Sequence, residues 1–190
     1  QYRDLFIGAQ DIERYLSGVI LFSETLLQKG NDKKLFQKSL AARGIIPGVK
    51  VDLGPAPLLE SPQELITNGL LDLSSRLAEY KKQGAAFTKW RACISIDGDR
   101  LPTTVAIHEN VKRLAAYAKE SQMVGLVPIV EPEVLHEGNH SRQRALSVTE
   151  ETLGALFSAL EEQSVDRASL ILKTSMVLSG SMSNKHDTPE

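Results

Sequence analysis

The sequence holds a single cysteine, Cys93, so no disulfide framework staples its fold, and a reducing compartment, the cytoplasm by default, is expected. It has no apolar run of the roughly 18 residues that a membrane-spanning helix needs, and no charged-then-apolar leader opens it. Charge excess is missing too. Its 22 basic residues face 24 acidic ones, a net of −2, whereas coating nucleic acid or anionic lipid takes a clear basic surplus. Neither a GxGxxG pattern nor a Gly-rich phosphate loop follows the first apolar run, which weakens a dinucleotide-binding or P-loop reading. The expectation is a soluble protein with no nucleic-acid and no membrane partner. An initial Met is absent, and near the end Asp187 or Thr188 precedes Pro189-Glu190 in the manner of a helix cap, so the chain reads as an internal piece of a longer protein.

What is present suits one domain, residues 1–190, with a sizeable core: 42% of the residues are apolar and 24% charged. Short runs rich in Val, Ile and Leu recur at 18–22, 45–52, 85–96, 126–135 and 170–177, each of strand length. Between most of them lie stretches with helical spacing, at 61–83, 103–122 and 147–163, with a shorter one at 33–42. Pro62 suits a first helical turn and Gly84 a stop. Strands alternating with helices, apolar on both faces where they carry no charge, imply an α/β fold with a parallel sheet covered by helices. Without a nucleotide loop, a β/α (TIM) barrel is favoured, and about five of its eight strands are in hand.

Charges inside those strands are the informative anomaly. Lys50 and Asp52, Lys89 and Arg91, and Glu131 and Glu133 stand two apart, and residues two apart on a strand point to one face. Lys173 sits on the fifth run, with Ser175 on its face. Lys89, Glu131 and Lys173 are spaced 42 residues apart, one β/α period, without any repeat of the sequence around them. Burying an ion costs several kcal/mol unless it is paired and hydrogen-bonded. Any one of these pairs is explained as well by mutual neutralisation. Seven such residues at the C-terminal ends of strands point instead to the place where barrels of this kind keep their active sites.

The chemistry they suggest is covalent catalysis by an amine. A neutral lysine adds to a carbonyl and forms an iminium, an electron sink for cleaving the adjacent carbon–carbon bond. Free lysine, with a pKa of about 10.4, is protonated at pH 7, so a nucleophilic one needs desolvation or a neighbouring cation. Lys173, flanked by Leu170-Ile171-Leu172, has apolar neighbours for the first, and Lys89 would supply the second. Parallel strands lie about 4.8 Å apart, so Glu131 on a strand between them would reach both lysines and shuttle protons. Lys50 and Arg91 suit an anionic substrate, Arg91 through its planar fork.

These residues resemble the class I, Schiff-base-forming fructose-1,6-bisphosphate aldolases. The likeness rests on Gly18-Val19-Ile20-Leu21-Phe22-Ser23-Glu24-Thr25-Leu26, Gly48-Val49-Lys50-Val51-Asp52, Lys89-Trp90-Arg91, Val127-Pro128-Ile129-Val130-Glu131-Pro132-Glu133 and Leu172-Lys173, and it covers essentially the whole chain. It implies that Lys173 is the Schiff-base lysine, Glu131 the acid/base of carbinolamine dehydration, and Lys89 the lysine of carbinolamine formation. By the same likeness Lys50 and Arg91 hold the 6-phosphate end of the substrate, while Asp52 and Glu133 surround and orient the lysines. The implied reaction is reversible cleavage of fructose 1,6-bisphosphate to dihydroxyacetone phosphate and glyceraldehyde 3-phosphate, with no metal and no cofactor, by a cytoplasmic homo-oligomer, commonly a tetramer. Against the family pattern, Thr174-Ser175 replaces Pro-Asn or Pro-Ser, Ala168-Ser169 replaces Glu-Gly, and Gly69-Leu70-Leu71-Asp72-Leu73 replaces Gly-Leu-Asp-Gly-Leu. The first strand with its aspartate and the last two with the second phosphate site are expected to lie outside this piece, which alone is expected not to turn over substrate. Alternatives are a Schiff-base lyase acting on another sugar phosphate, and a non-catalytic scaffold that binds a protein.

Other patterns point elsewhere. His136-Glu137-Gly138-Asn139-His140 spells HExxH, a zinc signature on a helix, but Pro132 upstream and Gly138-Asn139 within mark it as the loop leaving a strand. Asn139-His140-Ser141 is a sequon without other signs of secretion. Cys93 reads as a buried strand thiol, and Lys33-Lys34 and Lys81-Lys82 as solvated charges.

Overall fold

The computed structural model describes residues 2–184; the expected cap at Asp187 or Thr188 lies outside them. In chain order the elements are α1 (Tyr2–Ile7), β1 (Gly18–Leu21), α2 (Ser23–Leu26), α3 (Phe36–Ala42), β2 (Ile46–Lys50), β3 (Pro55–Leu58), β4 (Ser61–Thr67), α4 (Leu73–Lys82), β5 (Phe87–Ile94), α5 (Thr104–Met123), β6 (Val127–Val134), α6 (Arg142–Glu162) and β7 (Ile171–Leu172). Five strands pair in parallel in the order β1-β2-β5-β6-β7. Helices α4, α5 and α6 form the crossovers between successive strands from β2 to β7, as the α/β reading requires. No helix among the described residues is long and apolar enough to cross a membrane.

Each strand divides its side chains between two faces. Outward, Val49, Trp90 and Val130 pack with Leu73 and Leu77 of α4, Leu114 and Tyr117 of α5, and Leu156 and Leu160 of α6 in one buried core. Trp90 stacks on Tyr117 with ring centroids 5.3 Å apart, and the Tyr117 hydroxyl shares a 2.8 Å hydrogen bond with Thr88 Oγ1. Trp90 is wholly buried, so Trp90→Ala is expected to cost about 3–5 kcal/mol through lost burial and a residual cavity. Chemical denaturation followed by circular dichroism reads this directly, and a loss under about 1 kcal/mol would mean that this face is not the core.

Inward, the strands' N-terminal ends are apolar. Ile20, Ile46, Phe87, Ile129 and Ile171 line one shared hollow. Gly48 lies opposite Phe87 in the ladder, and a Cβ there would sit 2.2 Å from the ring, so only glycine admits this aromatic filler. The charged residues lie above that floor, toward the C-terminal ends.

Helix ends follow local chemistry. The Thr103 side chain accepts from Ala106 N at 3.2 Å and opens α5, and Ser141 accepts from Arg144 N at 3.2 Å and opens α6 five residues before the expected start at 147. The helix ends are also clasped from the preceding helix. Lys81 of α4 donates to Val124 O and Gly125 O just past α5, at 2.6 and 3.1 Å. In the same way Lys119 of α5 reaches Ser164 O past α6 at 3.0 Å, and Gln122 reaches Asp166 O at 2.7 Å. Lys81 is thus a cap and not merely a solvated charge.

Two expectations need correction. The segment 61–83 is not one helix: its first part is β4, which forms an antiparallel hairpin with β3, and the helix begins at Leu73. Ser61, Glu64 and Thr67 are buried at every third position, a period that imitates a helix, and the pairing shifts register between Pro57 and Leu58. Tertiary bonds hold the strand: Glu64 accepts from Thr103 N and Oγ1 at 2.8 and 2.6 Å, and Asn110 donates to Leu65 O at 2.8 Å. The second correction is that the run 170–177 contributes only Ile171 and Leu172 to the sheet. Lys173 keeps one ladder bond, from its N–H to Val130 O at 2.9 Å, and the chain then leaves the sheet.

Candidate active site

The ladder register sets the site. Lys50 lies level with Lys89, Arg91 with Glu131, and Cys93 with Glu133. Two cations side by side repel, and each is given its own carboxylate: Lys50 pairs with Asp52 and Lys89 with Glu131. Lys173, one residue past β7, pairs with the other oxygen of Glu131, and Arg91 pairs with Glu133. All seven charged residues singled out in the sequence therefore stand at the C-terminal side of the sheet, in three ion-paired groups.

Glu131 is the centre of this arrangement. Its side chain is 5% exposed and bridges the ammonium groups of Lys89, 13% exposed, and Lys173, 56% exposed. Burial pushes its pKa up, but hydrogen bonds from Lys173 and Lys89 and their charges outweigh that, and the carboxyl is held below its ordinary value. At neutral pH it is a carboxylate between two cations. Lys173 differs from expectation in two respects, the first being that in this sheet its flanking leucines leave its side chain more than half exposed. β7 is the outermost strand of the sheet among the described residues, so one side of the lysine is open. Its cationic neighbour is also not in direct contact, because Glu131 stands between the two lysines.

Around this centre, Asp52 is fixed by the backbone. Its Oδ1 accepts from Gly54 N at 3.1 Å and its Oδ2 from Arg91 N at 3.4 Å, and Arg76 of α4 holds the neighbouring Val51 carbonyl at 2.8 Å. The hydrogen bond to Glu133 raises the pKa of Arg91 against the opposing effect of burial, so this guanidinium stays charged for an anionic ligand. From the hairpin, Thr67 Oγ1 donates to Arg91 O at 2.7 Å. The contributions of Arg76 and Thr67 have no signature in the sequence, since both act on backbone carbonyls far away in the chain.

Three further sequence readings are placed by the structure. Cys93 is buried, as read from its apolar neighbours, and burial pushes its thiol pKa up. The HExxH residues lie in the loop after β6, not on a helix, so the one-face geometry of a zinc helix is not formed. Ser175 does not share a strand face with Lys173; its Oγ accepts from Val134 N at 2.9 Å.

Comparison with known proteins places this geometry. The family model described as glycolytic fructose-bisphosphate aldolase class-I matches residues 1–190. A probable fructose-bisphosphate aldolase class 1 of Xylella fastidiosa is 50% identical over 179 residues, 94% of this chain and 53% of that protein. Fructose-bisphosphate aldolase B of Bos taurus is 44% identical over 191 residues, 100% of this chain and 52% of its own. Among solved structures, the fructose-bisphosphate aldolase of Plasmodium falciparum, crystallised with TRAP and a small-molecule inhibitor, superposes with a TM-score of 0.96 at 41% identity, over 98% of this chain and 54% of that one. The parallel sheet is therefore an incomplete TIM barrel, and the chain spans about half the length of the relatives it matches.

Proposed function

This chain belongs to the class I fructose-bisphosphate aldolase family, and from that premise we propose that its seven clustered charges are the core of a Schiff-base aldolase site acting on fructose 1,6-bisphosphate. The single observation that carries the proposal is Glu131, a buried carboxylate shared by two lysines. In this reading Glu131 takes a proton from the Lys173 ammonium, and the freed amine attacks the substrate's C2 carbonyl to form a carbinolamine. Glu131 then returns the proton to the carbinolamine hydroxyl, which departs as water and leaves the iminium. Cleavage sends the C3–C4 electron pair to the iminium nitrogen, while Glu131, again a carboxylate, accepts the C4 hydroxyl proton as glyceraldehyde 3-phosphate leaves. Reprotonation of the enamine and hydrolysis release dihydroxyacetone phosphate and restore the lysine.

The other charges have supporting roles. Lys89 stabilises the negative charge that develops on the carbinolamine oxygen and keeps Glu131 ionised between turnovers. Lys50 and Arg91, each held by a carboxylate, receive the 6-phosphate, with Arg91 contributing two donors in a plane. Asp52 and Glu133 keep those cations in place until substrate arrives. No metal or cofactor enters the scheme, because the iminium nitrogen is itself the electron acceptor. The 190 residues act as one incomplete barrel unit within a longer, cytoplasmic, homo-oligomeric protein.

The test is to treat a chain carried to the length of its aldolase relatives with dihydroxyacetone phosphate and borohydride and to map the product by mass spectrometry. A reduced adduct on Lys173 is expected. An adduct with dihydroxyacetone phosphate but no cleavage of fructose 1,6-bisphosphate would move the assignment to a lyase of another sugar phosphate. A folded protein with no adduct at all would leave only a binding scaffold.

A further inference from the structure

Lys173 is held at the edge of the sheet by very little strand, and a side-chain bond two residues beyond it replaces the missing ladder. Along β6, hydrogen-bonding groups alternate between neighbours. Val127 and Leu135 donate to Ala86 O and Ile94 O on the β5 side, at 3.2 and 2.9 Å, while Val130 O accepts from Lys173 N on the β7 side at 2.9 Å. The next position facing β7 is Pro132, which has no N–H to offer the Lys173 carbonyl, and the ladder ends at Lys173. The next donor on that side is Val134 N, and it is taken by the side chain of Ser175, at 2.9 Å. The backbone from 173 to 175 is therefore tied to β6 at both ends, once by main chain and once by a hydroxyl. The Glu131 side chain springs from between the two anchor points.

We infer that Ser175 is a positioning residue: its Oγ sets the Lys173 ammonium against Glu131 by giving Val134 N–H an acceptor beyond the point where the ladder, short of a donor at Pro132, has stopped. This rests on the aldolase reading for its consequence and on the hydrogen-bond pattern for its existence. The chain beyond has ties of its own, from Gly180 N to His140 O, Ser181 N to His136 O and Met182 N to Gly138 O, each 2.8 Å. Loss of the Ser175 bond is thus expected to loosen Lys173 without releasing the segment after it.

In a chain carried to the length of its relatives, Ser175→Ala is expected to slow borohydride trapping on Lys173 and to lower kcat about tenfold, because misplacing a reacting group costs rate even when binding is intact. KM is expected to stay within about twofold, and Ser175→Thr, which keeps the acceptor, to restore the rate. Amide exchange supplies a readout that does not depend on activity: Val134 N–H is expected to be protected in the unaltered protein and, in Ser175→Ala, to exchange at least about tenfold faster. An unprotected Val134 amide in the unaltered protein would overturn the proposal. So would Ser175→Ala forming the adduct at the original rate, or a folded Ser175→Thr as slow as alanine. No adduct on Lys173 in the unaltered protein would instead defeat the aldolase reading, and the positioning role with it, while the exchange result still reports whether the tie exists.

Discussion

Lys173→Met is expected to lower fructose 1,6-bisphosphate cleavage by about 10⁴-fold or more in a chain carried to the length of its relatives, because removing a covalent nucleophile forfeits the whole covalent pathway and not a fraction of it. Methionine keeps the aliphatic stem and loses only the amine. The fold is expected to tolerate the change, since the stem is kept and Glu131 retains Lys89 as partner. Circular dichroism would show an unaltered spectrum beside steady-state rates at the assay's floor. Turnover above about 1% of the original would assign the carbonyl chemistry to another group.

Glu131→Gln is expected to cost about 10²–10³ in kcat, the usual worth of a positioned acid/base group. Glutamine keeps the shape and one acceptor but neither takes nor gives a proton, so trapping on Lys173 slows along with cleavage. The same substitution has a signature in acid stability. The native carboxyl of Glu131 is held below its ordinary value, so its ion pairs stabilise the fold fully above the unfolded pKa of about 4.3. That contribution is lost as pH falls through the lower native value. Thermal melts between about pH 6 and 3 are expected to fall less steeply for Glu131→Gln than for the unaltered protein, because one proton-linked loss has been removed. Parallel melting curves would mean that Glu131 has the same affinity for protons folded and unfolded, contrary to its setting between two ammonium groups.

Much of this site was legible in sequence because a parallel strand buried on both faces has no ordinary reason to carry ions. Lys89, Glu131 and Lys173 announced themselves by that rule and by a spacing of 42 residues, and the alternation of β5 and β6 put the i, i+2 pairs on one face. The hairpin was not legible. The burial of β4 runs in threes, and the strand is held by bonds from Thr103 and Asn110, some 40 residues downstream. The exposure of Lys173 was hidden for a related reason. Apolar neighbours in sequence predict burial only when another element covers them, and in this incomplete barrel β7 is an edge strand. Ser175 was read as a side chain on a continuing strand. The clue to its hydrogen bond with β6 was Pro132, which sits on a different strand and matters through an N–H it lacks.

The helix clasps run in one direction. Lys81 of α4 closes the end of α5, and Lys119 and Gln122 of α5 close the end of α6. A ribosome delivers the chain in that same order, so every clasp is already waiting when the helix it serves emerges. Among the described residues, the ends of α5 and α6 each draw their clasp from the helix before them. Truncation after α5 therefore leaves its end sealed, whereas deletion of α4 unseals it. A circular permutant that moves α4 to the end of the chain would synthesise α5 before its clasp exists, converting a seal made during translation into one that must wait for the last residues to leave the ribosome.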